Sequence, residues 1–369
     1  MADSITSGPR SYLEPLNLRG RISKPQPKGL PLVNLGFNEL PYGPSPKVAA
    51  AVAEASAQVA SYGTPLCDGL RAALAQANGL DVDQIICGNG SEELLDVIAR
   101  NFVRPGDEVL ISAYGYIQFE MVAARQGATL VKAAEADFTS DVDALLGAVT
   151  PRTRLVFLAN PNNPTGTVLP VSELKRLVEG MPSDVVVVLD LAYGEFTGFD
   201  HCAEVHALAE GRENVIVTRT FSKAYGLAGL RCGWAHAPAA MMPSLYAARG
   251  MGSVNRLAQA AATAALADLA VVKARVGEIV AERRRVAAAL ADMGITALPS
   301  GTNFLLVRID GKGAEAAEAL VVHFFDDAGI IVSRTREAGL EDWLRFSLGT
   351  PDQNDLLLQS ARNFMEGPA

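Results

Sequence analysis

Residues 218–233 read Thr-Arg-Thr-Phe-Ser-Lys-Ala-Tyr-Gly-Leu-Ala-Gly-Leu-Arg-Cys-Gly. An apolar run at 215–217 precedes them, so a strand leads directly into a turn rich in hydroxyl groups. Lys223 stands in this turn, and Arg231 follows it closely. An amine, hydroxyls and a guanidinium at this spacing predict a reactive lysine beside an anion clamp. Taken alone, such a stretch is more often a solvated loop after a strand, so the rest of the chain decides its meaning.

Upstream of this stretch, short β-branched runs alternate with helical patterns. Strands are predicted at 84–87, 108–111, 129–132, 155–159, 185–189 and 215–218, and helices at 47–60, 68–76, 91–102, 115–126, 142–149 and 172–180. The run at 185–189 is continuously apolar, as expected for a strand buried on both faces of a parallel sheet. The fold class is therefore α/β, with ligands expected at the carboxyl ends of the strands.

Length and composition indicate more than one domain. The chain has 369 residues, of which 49% are hydrophobic and 20% charged, as is ordinary for a folded protein. We predict an N-terminal arm at 1–36 that lies over another part of the protein, such as a second subunit, and a large domain at 37–254. A small α+β domain follows at 255–369, with a long helical tract at 255–293, strands at 330–333 and 344–347, and helices near 314–328 and from 352 onward.

Three further motifs lie at predicted strand ends. Cys-Gly-Asn-Gly-Ser-Glu-Glu at 87–93 joins a strand to a helix, and the backbone N–H groups at such a helix start bind anions. Asn-Pro-Asn-Asn-Pro-Thr-Gly at 160–166 predicts a rigid turn that can orient a side-chain amide. The apolar strand at 185–189 ends in Asp190, whose carboxylate needs a cation to offset its desolvation. Separately, each motif also has a purely structural explanation as a capped helix, a turn or an ion pair.

Together these residues match the requirements of pyridoxal phosphate. Its aldehyde needs a lysine amine, its phosphate needs a helix N-terminus with hydroxyls and an arginine, its ring nitrogen needs a carboxylate, and its phenolic oxygen needs an amide or phenol donor. In the motifs at 160–166 and 222–233 the chain resembles the fold-type I, class I and II pyridoxal-phosphate-dependent aminotransferases, and within them the histidinol-phosphate aminotransferase group. The resemblance extends from Asn38 to Gly349. It implies a homodimer whose large domain holds a mainly parallel seven-stranded sheet between helices.

The resemblance also implies roles for individual residues. Lys223 would attach the cofactor covalently, Asp190 would pair with its ring nitrogen, and Tyr193 would serve the phenolic oxygen; these three are the expected catalytic residues. The other expected cofactor contacts are Asn163 at the phenolic oxygen, Gly90, Ser91 and Glu92 through their backbone, Thr220, Ser222 and Arg231 at the phosphate, Tyr114 stacked on the ring, and Tyr62 reaching the phosphate of the neighbouring subunit.

Substrate recognition follows the family pattern less closely. Arg345 matches the small-domain arginine that grips the anionic group of the substrate, and Asn38 lies in the substrate-proximal segment Asn-Glu-Leu-Pro-Tyr-Gly. The family's N-terminal Pro-Tyr pair is Pro-Leu here, which leaves Tyr12 as the nearest phenol. The usual Arg-Pro at a strand end is replaced by Ser-Arg-Thr-Arg at 333–336, so a second substrate arginine is Arg334, Arg336 or absent.

The function implied is transamination in a ping-pong reaction through Lys223. The amino donor is histidinol phosphate or an amino acid, aromatic ones included, and the acceptor is a 2-oxo acid such as 2-oxoglutarate. A lyase or decarboxylase resembling the phosphothreonine decarboxylases is the alternative, because the bond broken depends on its angle to the cofactor ring. A pyridoxal-dependent transcription regulator would need an added DNA-binding domain, and the arm shows no helix-turn-helix pattern.

Charge and composition argue against several other classes of protein. A net charge of −9 opposes nucleic-acid binding, which needs clustered Lys and Arg. The sequence has neither a basic-then-apolar leader nor a long apolar run, and its four cysteines are too dispersed for a disulfide framework or a zinc ribbon. We therefore expect a cytoplasmic protein with no metal, membrane or nucleic-acid partner, which binds small molecules and a second copy of itself.

Overall fold

The computed structural model describes residues 26–335 and 337–367. Within them the strands, numbered β1 to β15, are Val33–Asn34, Ile85–Gly88, Glu108–Ser112, Thr129–Ala133, Glu135–Ala136, Thr139–Ser140, Thr153–Ala159, Val186–Asp190, Val215–Thr220, Gly233–His236, Ile295–Ala297, Phe304–Ile309, Ile330–Ile331, Ser333–Arg334 and Trp343–Ser347. The helices, numbered α1 to α12, are Pro46–Ser56, Asp68–Asn78, Ser91–Phe102, Ile117–Arg125, Val142–Gly147, Val171–Gly180, Phe199–Ala209, Met242–Ala248, Arg256–Leu266, Leu269–Ala291, Ala314–Ala328 and Pro351–Glu366.

The central sheet has seven strands in the order β2-β10-β9-β8-β7-β3-β4. Strand β10 runs antiparallel to both its neighbours, and the other described pairings in this sheet are parallel. The predicted mainly parallel seven-stranded sheet is therefore confirmed. The sequence prediction missed β10, because its four residues, Gly-Trp-Ala-His, are too short to show a period.

Helices cover both faces of this sheet. Helices α3, α4 and α8 bury apolar side chains such as Leu95 and Phe119 against one face. Helices α5, α6 and α7 cover the other face through side chains such as Leu145 and Leu174. Because both faces are buried, the strands consist of nearly continuous apolar residues, and their polar residues concentrate at the strand ends.

A second sheet, of four antiparallel strands, follows in the order β11-β12-β15-β14. Its register pairs Ser333 with Arg345 and Phe304 with Ser347. Strand β1 pairs in parallel with β13 in a separate two-stranded sheet. The segment before the large sheet is linked to the small one just after β1, where the backbone N–H of Ser347 in β15 donates to the backbone oxygen of Leu35 at 2.7 Å. The fold class is thus as predicted, and the domain boundaries at 36/37 and 254/255 stay a prediction.

The helical tract predicted at 255–293 is two helices rather than one. Helices α9 and α10 meet at 82°, and the break falls at Asp268, which pairs with Lys47 at 3.1 Å. A buried carboxylate that bonds outside the helix competes with helix continuation. In the described part of the chain, no single helix is long and apolar enough to cross a bilayer, and only this bent pair reaches that length and composition jointly.

Candidate active site

A cavity of about 260 Å³ opens at the carboxyl ends of β7, β8 and β9. Side chains from several strand ends and from the segment before α1 line it together. The predicted residues found in the lining are Ser91, Glu92, Asn163, Asp190, Tyr193, Thr220, Ser222, Lys223 and Arg231. The motifs that are far apart in the sequence therefore converge on one place.

Lys223 places its amine at this cavity. Its Nζ donates to the backbone oxygens of Asn38 at 3.2 Å and Phe37 at 3.4 Å. It also lies 5.6 Å from the centre of the Tyr193 ring. The amine is thus held by neutral carbonyl oxygens rather than by a carboxylate, which leaves it available to a ligand aldehyde.

Asp190 is a carboxylate buried at the end of β8. It accepts hydrogen bonds from the Thr218 hydroxyl at 2.9 Å and from the backbone N–H of Ala192. No lysine, arginine or histidine of the described residues forms an ion pair with it. Burial raises its pKa to about 6, although the hydrogen bond from Thr218 acts in the opposite direction. A carboxylate in this position suits a ligand that brings its own cation, such as a protonated pyridine nitrogen.

The opposite end of the cavity is built for an anion. The Thr220 hydroxyl donates to Ser222 Oγ at 3.0 Å, and Arg231 Nη1 approaches the same oxygen at 3.4 Å. Arg231 Nη2 also pairs with Glu92 at 3.2 Å. The guanidinium therefore lies against the first turn of α3, whose N–H groups and dipole add to its positive charge.

Gly90 makes this close approach possible. It precedes α3 with a φ of +84°, in the left-handed region, and it offers no side-chain cap to the helix. A Cβ at this position would lie 2.6 Å from Arg231 Nη2. Glycine suits both the backbone conformation and the close contact with Arg231. The space between the start of α3 and Arg231 is lined by the hydrogen-bond donors that a phosphate needs.

The predicted substrate residues occupy different surroundings. Arg345 donates through Nη1 to Asn163 Oδ1 and lies over the Phe304 ring. Asn38 is buried, and its Nδ2 donates to the Tyr193 hydroxyl at 2.9 Å, so it stands behind Tyr193 rather than in the cavity lining. Arg334 turns its guanidinium away, to Glu318 of α11 and to the backbone oxygen of Glu341.

Three aromatic side chains line the cavity, those of Phe37, Tyr116 and Tyr193. The stacking role of Tyr114 stays a prediction. Tyr114 packs on Phe138 with ring centres 5.8 Å apart, outside the lining. Tyr116 donates its hydroxyl to Glu92 Oε1 at 2.8 Å, and burial together with the charge of Glu92 raises its pKa well above the ordinary value. Two tyrosines flank Gly115, and the sequence gives no signal that chooses between them beyond the closeness of Tyr116 to the start of α4.

Three other predicted residues lie away from the cavity or outside the described part of the chain. Tyr62 is 96% exposed on the surface of the subunit. Tyr12 and Arg336 fall outside the described residues, so their roles stay predictions. The four cysteines are free and buried.

Comparison with known proteins decides the family. The family described as "Aminotransferase class I and II" matches residues 31–360. The chain belongs to this family. The histidinol-phosphate aminotransferase of Erythrobacter litoralis (strain HTCC2594) is 44% identical over 337 residues, which cover 90% of each protein.

Solved structures agree with the family assignment. The histidinol-phosphate aminotransferase of Sinorhizobium meliloti, in complex with pyridoxal-5'-phosphate, is similar at a TM-score of 0.86 and 34% identity over 90% of both chains. The L-threonine-O-3-phosphate decarboxylase of Porphyromonas gingivalis is similar at a TM-score of 0.77 and 26% identity, covering 91% of this chain and 100% of that one. This aminotransferase thus has the fold-type I architecture, uses pyridoxal phosphate, and exchanges an amino group between an amino donor and a 2-oxo acid.

Proposed function

We propose that this aminotransferase takes its amino group from histidinol phosphate and gives it to a 2-oxo acid such as 2-oxoglutarate. The convergence of Lys223, Asp190 and Arg231 on one cavity carries the assignment of the site. The donor is suggested by the relatives, whose names identify them as histidinol-phosphate aminotransferases. Asp190 would hold the ring nitrogen, and Asn163 and Tyr193 would hold the phenolic oxygen. The phosphate would be held by Ser91, Thr220, Ser222 and Arg231.

The residues of the chain then divide the chemistry among them. The bound cofactor supplies an electron sink for the bonds at the donor Cα. Lys223 would hold the cofactor covalently, and its amine would move the proton of the donor Cα, first as base and then as acid. Asp190 would hold the ring nitrogen through its negative charge. Arg345 binds the anionic group of donor and acceptor in turn, as a ping-pong reaction requires.

We further propose that the working unit is a homodimer in the cytoplasm. Tyr62, Met251 and Val59 are large apolar or aromatic side chains that this subunit leaves exposed. A second copy would cover them and would receive Tyr62 near its cofactor phosphate. The free, buried cysteines suit a reducing compartment. Nucleic acid is not expected as a partner, because the net charge is −9. A membrane is not expected either, because the sequence has no run of about 18 apolar residues.

The reaction is tested by absorbance spectroscopy of the cofactor-loaded protein. Histidinol phosphate should convert the bound cofactor to its pyridoxamine form, and 2-oxoglutarate should reverse the change. Lys223→Ala should abolish the conversion and the covalent trapping of cofactor by borohydride, whereas Lys273→Ala, outside the cavity, should change neither. A return to the starting spectrum with release of carbon dioxide and no pyridoxamine form would identify a decarboxylase instead.

Donor recognition is tested with three arginine variants. Arg345→Ala should raise KM for histidinol phosphate by about tenfold to a hundredfold, the effect of losing a charged hydrogen bond. Arg334→Ala is the matched control, because its guanidinium pairs with Glu318. Arg336→Ala should raise KM for histidinol phosphate but not for phenylalanine if it holds the donor phosphate. Equal KM values for all three variants and the parent protein would contradict the proposed donor site.

A further inference from the structure

The segment 37–39 bonds to two of the three expected catalytic residues, Lys223 and Tyr193. The backbone oxygens of Phe37 and Asn38 accept hydrogen bonds from Lys223 Nζ at 3.4 and 3.2 Å. The side-chain amide of Asn38 donates to the Tyr193 hydroxyl at 2.9 Å. The positions of the Lys223 amine and the Tyr193 hydroxyl therefore both depend on where this segment lies.

Two buried residues of the small sheet hold the segment in place. Ser347, at the end of β15, accepts a hydrogen bond from the backbone N–H of Asn38 at 2.8 Å and donates to the backbone oxygen of Leu35 at 3.0 Å. Asn303, just before β12, donates to the backbone oxygens of Asn38 at 3.1 Å and Glu39 at 3.4 Å. The Asn38 oxygen that receives the Lys223 amine is thus the same oxygen that Asn303 fixes.

Two features of this arrangement are uncommon. Asn38 has a φ of +54°, in the left-handed region that few non-glycine residues adopt, although asparagine adopts it more readily than most. Asn303 is fully buried, and among the described residues none donates to its Oδ1. A buried amide with an unpaired carbonyl is a poor stabiliser, and such exceptions concentrate at functional sites.

We propose that Asn303 and Ser347 are positioning residues for the transamination, acting on Lys223 and Tyr193 through the segment 37–39. This inference rests on the proposed function. The carbonyl oxygens of Phe37 and Asn38 receive the Lys223 amine whenever it is not attached to cofactor, so the amine stays close to the donor Cα. The Asn38 amide fixes the Tyr193 hydroxyl, which stabilises negative charge on the phenolic oxygen.

Loss of either residue should therefore leave a distinct signature. With Tyr193 less well oriented, negative charge on the phenolic oxygen is less stabilised, and the bound cofactor holds its proton more tightly. The midpoint pH of the absorbance change of the bound cofactor should rise by about half a unit. With the Lys223 amine less well placed, the single-turnover rate constant should fall by about tenfold or more, while the donor dissociation constant stays close to that of the parent.

The test compares Asn303→Ala and Ser347→Ala with matched controls in the cofactor-loaded protein. Asn354→Ala removes a buried amide of α12 that bonds to Gly349 and Glu282, away from the segment 37–39. Ser360→Ala removes another buried hydroxyl of the same helix. Ser347→Thr keeps the hydroxyl and should restore the parent midpoint. Thermal melting of every variant identifies any that fails to fold. If an alanine variant fails to fold, Ser347→Thr and Asn303→Asp are compared with the parent protein in its place.

The inference is overturned if Asn303→Ala and Ser347→Ala melt lower but match their controls in absorbance midpoint and single-turnover rate. It is also overturned if the donor dissociation constant alone changes, because that would place the two residues in substrate binding. A parent protein that shows no donor-dependent absorbance change would refute the proposed function itself, and that outcome is read from the parent before any variant is compared.

Discussion

Asp190 and Glu195 are two carboxylates that the fold buries to the same degree and treats differently. Each is 2% exposed; Asp190 is the last residue of β8, and Glu195 lies in the turn that follows it. Glu195 forms an ion pair with Arg219, whose other end bonds to Asn78 at 2.8 Å and lies over the Trp234 ring. Among the described residues, the donors to Asp190 are a hydroxyl and a backbone N–H. The paired carboxylate links two parts of the chain, and for the unpaired one we propose a ligand cation as the partner.

Removal of the charge of Glu195 has the largest expected effect on stability. Glu195→Gln leaves the Arg219 guanidinium buried without its counter-ion and should lower the free energy of unfolding by about 3–5 kcal/mol. Asp190→Asn should cost the cofactor-free protein little, because no buried cation loses a partner. Urea denaturation of both variants without cofactor provides the measurement. Equal losses of stability would mean that the two carboxylates play the same structural part.

The reverse pattern is expected in catalysis. Asp190→Asn should lower kcat by about 10²–10³-fold, the usual effect of losing one preorganised electrostatic group, and should change cofactor affinity far less. Glu195→Gln should keep most of the turnover of whatever fraction is folded. Steady-state kinetics together with equilibrium titration of pyridoxal phosphate separates the two effects. If a fully folded Glu195 variant lost as much kcat as the Asp190 variant, the division into a structural and a catalytic carboxylate would be wrong.

The pH dependence of stability should also differ between the two states of the protein. Burial raises the pKa of Asp190 to about 6 from its ordinary 3.8. Between these two pH values, the folded, cofactor-free protein therefore keeps a proton on Asp190 that the unfolded chain has lost. Stability from this group is fully present below about pH 4, falls as the pH rises from about 4 to 6, and levels off above, a loss of about 3 kcal/mol.

Denaturation at several pH values tests this prediction, with Asp190→Asn as the control that lacks the titrating group. The pH-dependent difference between parent and variant should vanish when pyridoxal phosphate is bound, because the ring cation then keeps Asp190 ionised. A parent protein whose stability rises over the window from about pH 4 to 6, relative to Asp190→Asn, would contradict the assigned direction.

The smallest expected effect concerns the Thr218 hydroxyl that donates to Asp190. Thr218→Val removes its donor, which should raise the pKa of Asp190 further and weaken cofactor binding by about 1 kcal/mol. The variant nearly conserves volume, so packing should change little. Fluorescence titration of pyridoxal phosphate measures the shift. Unchanged affinity would indicate that the Ala192 N–H alone orients the carboxylate.

Much of the cofactor site is predictable from the sequence because the site lies at the carboxyl ends of the parallel strands. Parallel strands give continuous apolar runs, their carboxyl ends meet at one edge, and the polar residues that follow each run fall together, as Asp190 and Lys223 do. The place of Tyr116 in the cavity lining was not predicted, because the directions of Tyr114 and Tyr116 depend on packing, such as that of Tyr114 against Phe138. No periodic pattern reports which of two neighbouring turn residues faces a cavity.

The buried residues that hold the segment 37–39 in place could not be predicted in the same way. Asn303 and Ser347 contact Asn38 from 265 and 309 positions away along the chain. A single buried amide or hydroxyl leaves no spacing signal, and its partner is a backbone group that any residue carries. The pairing of Arg219 with Glu195 is likewise set by the sheet register and the turn after β8, which the residue pattern alone does not determine.

The parallel pairing of β1 with β13 has a mechanical consequence. Two separate lengths of chain connect the large sheet to the region of β13 to β15, one through α9 and α10 and the other from β1 through the segment 35–45 to α1. Asn38 lies in the second connection and bonds to Ser347 of β15 on one side and to Tyr193, after β8, on the other. A movement of one sheet relative to the other would therefore change the hydrogen bonds of Asn38.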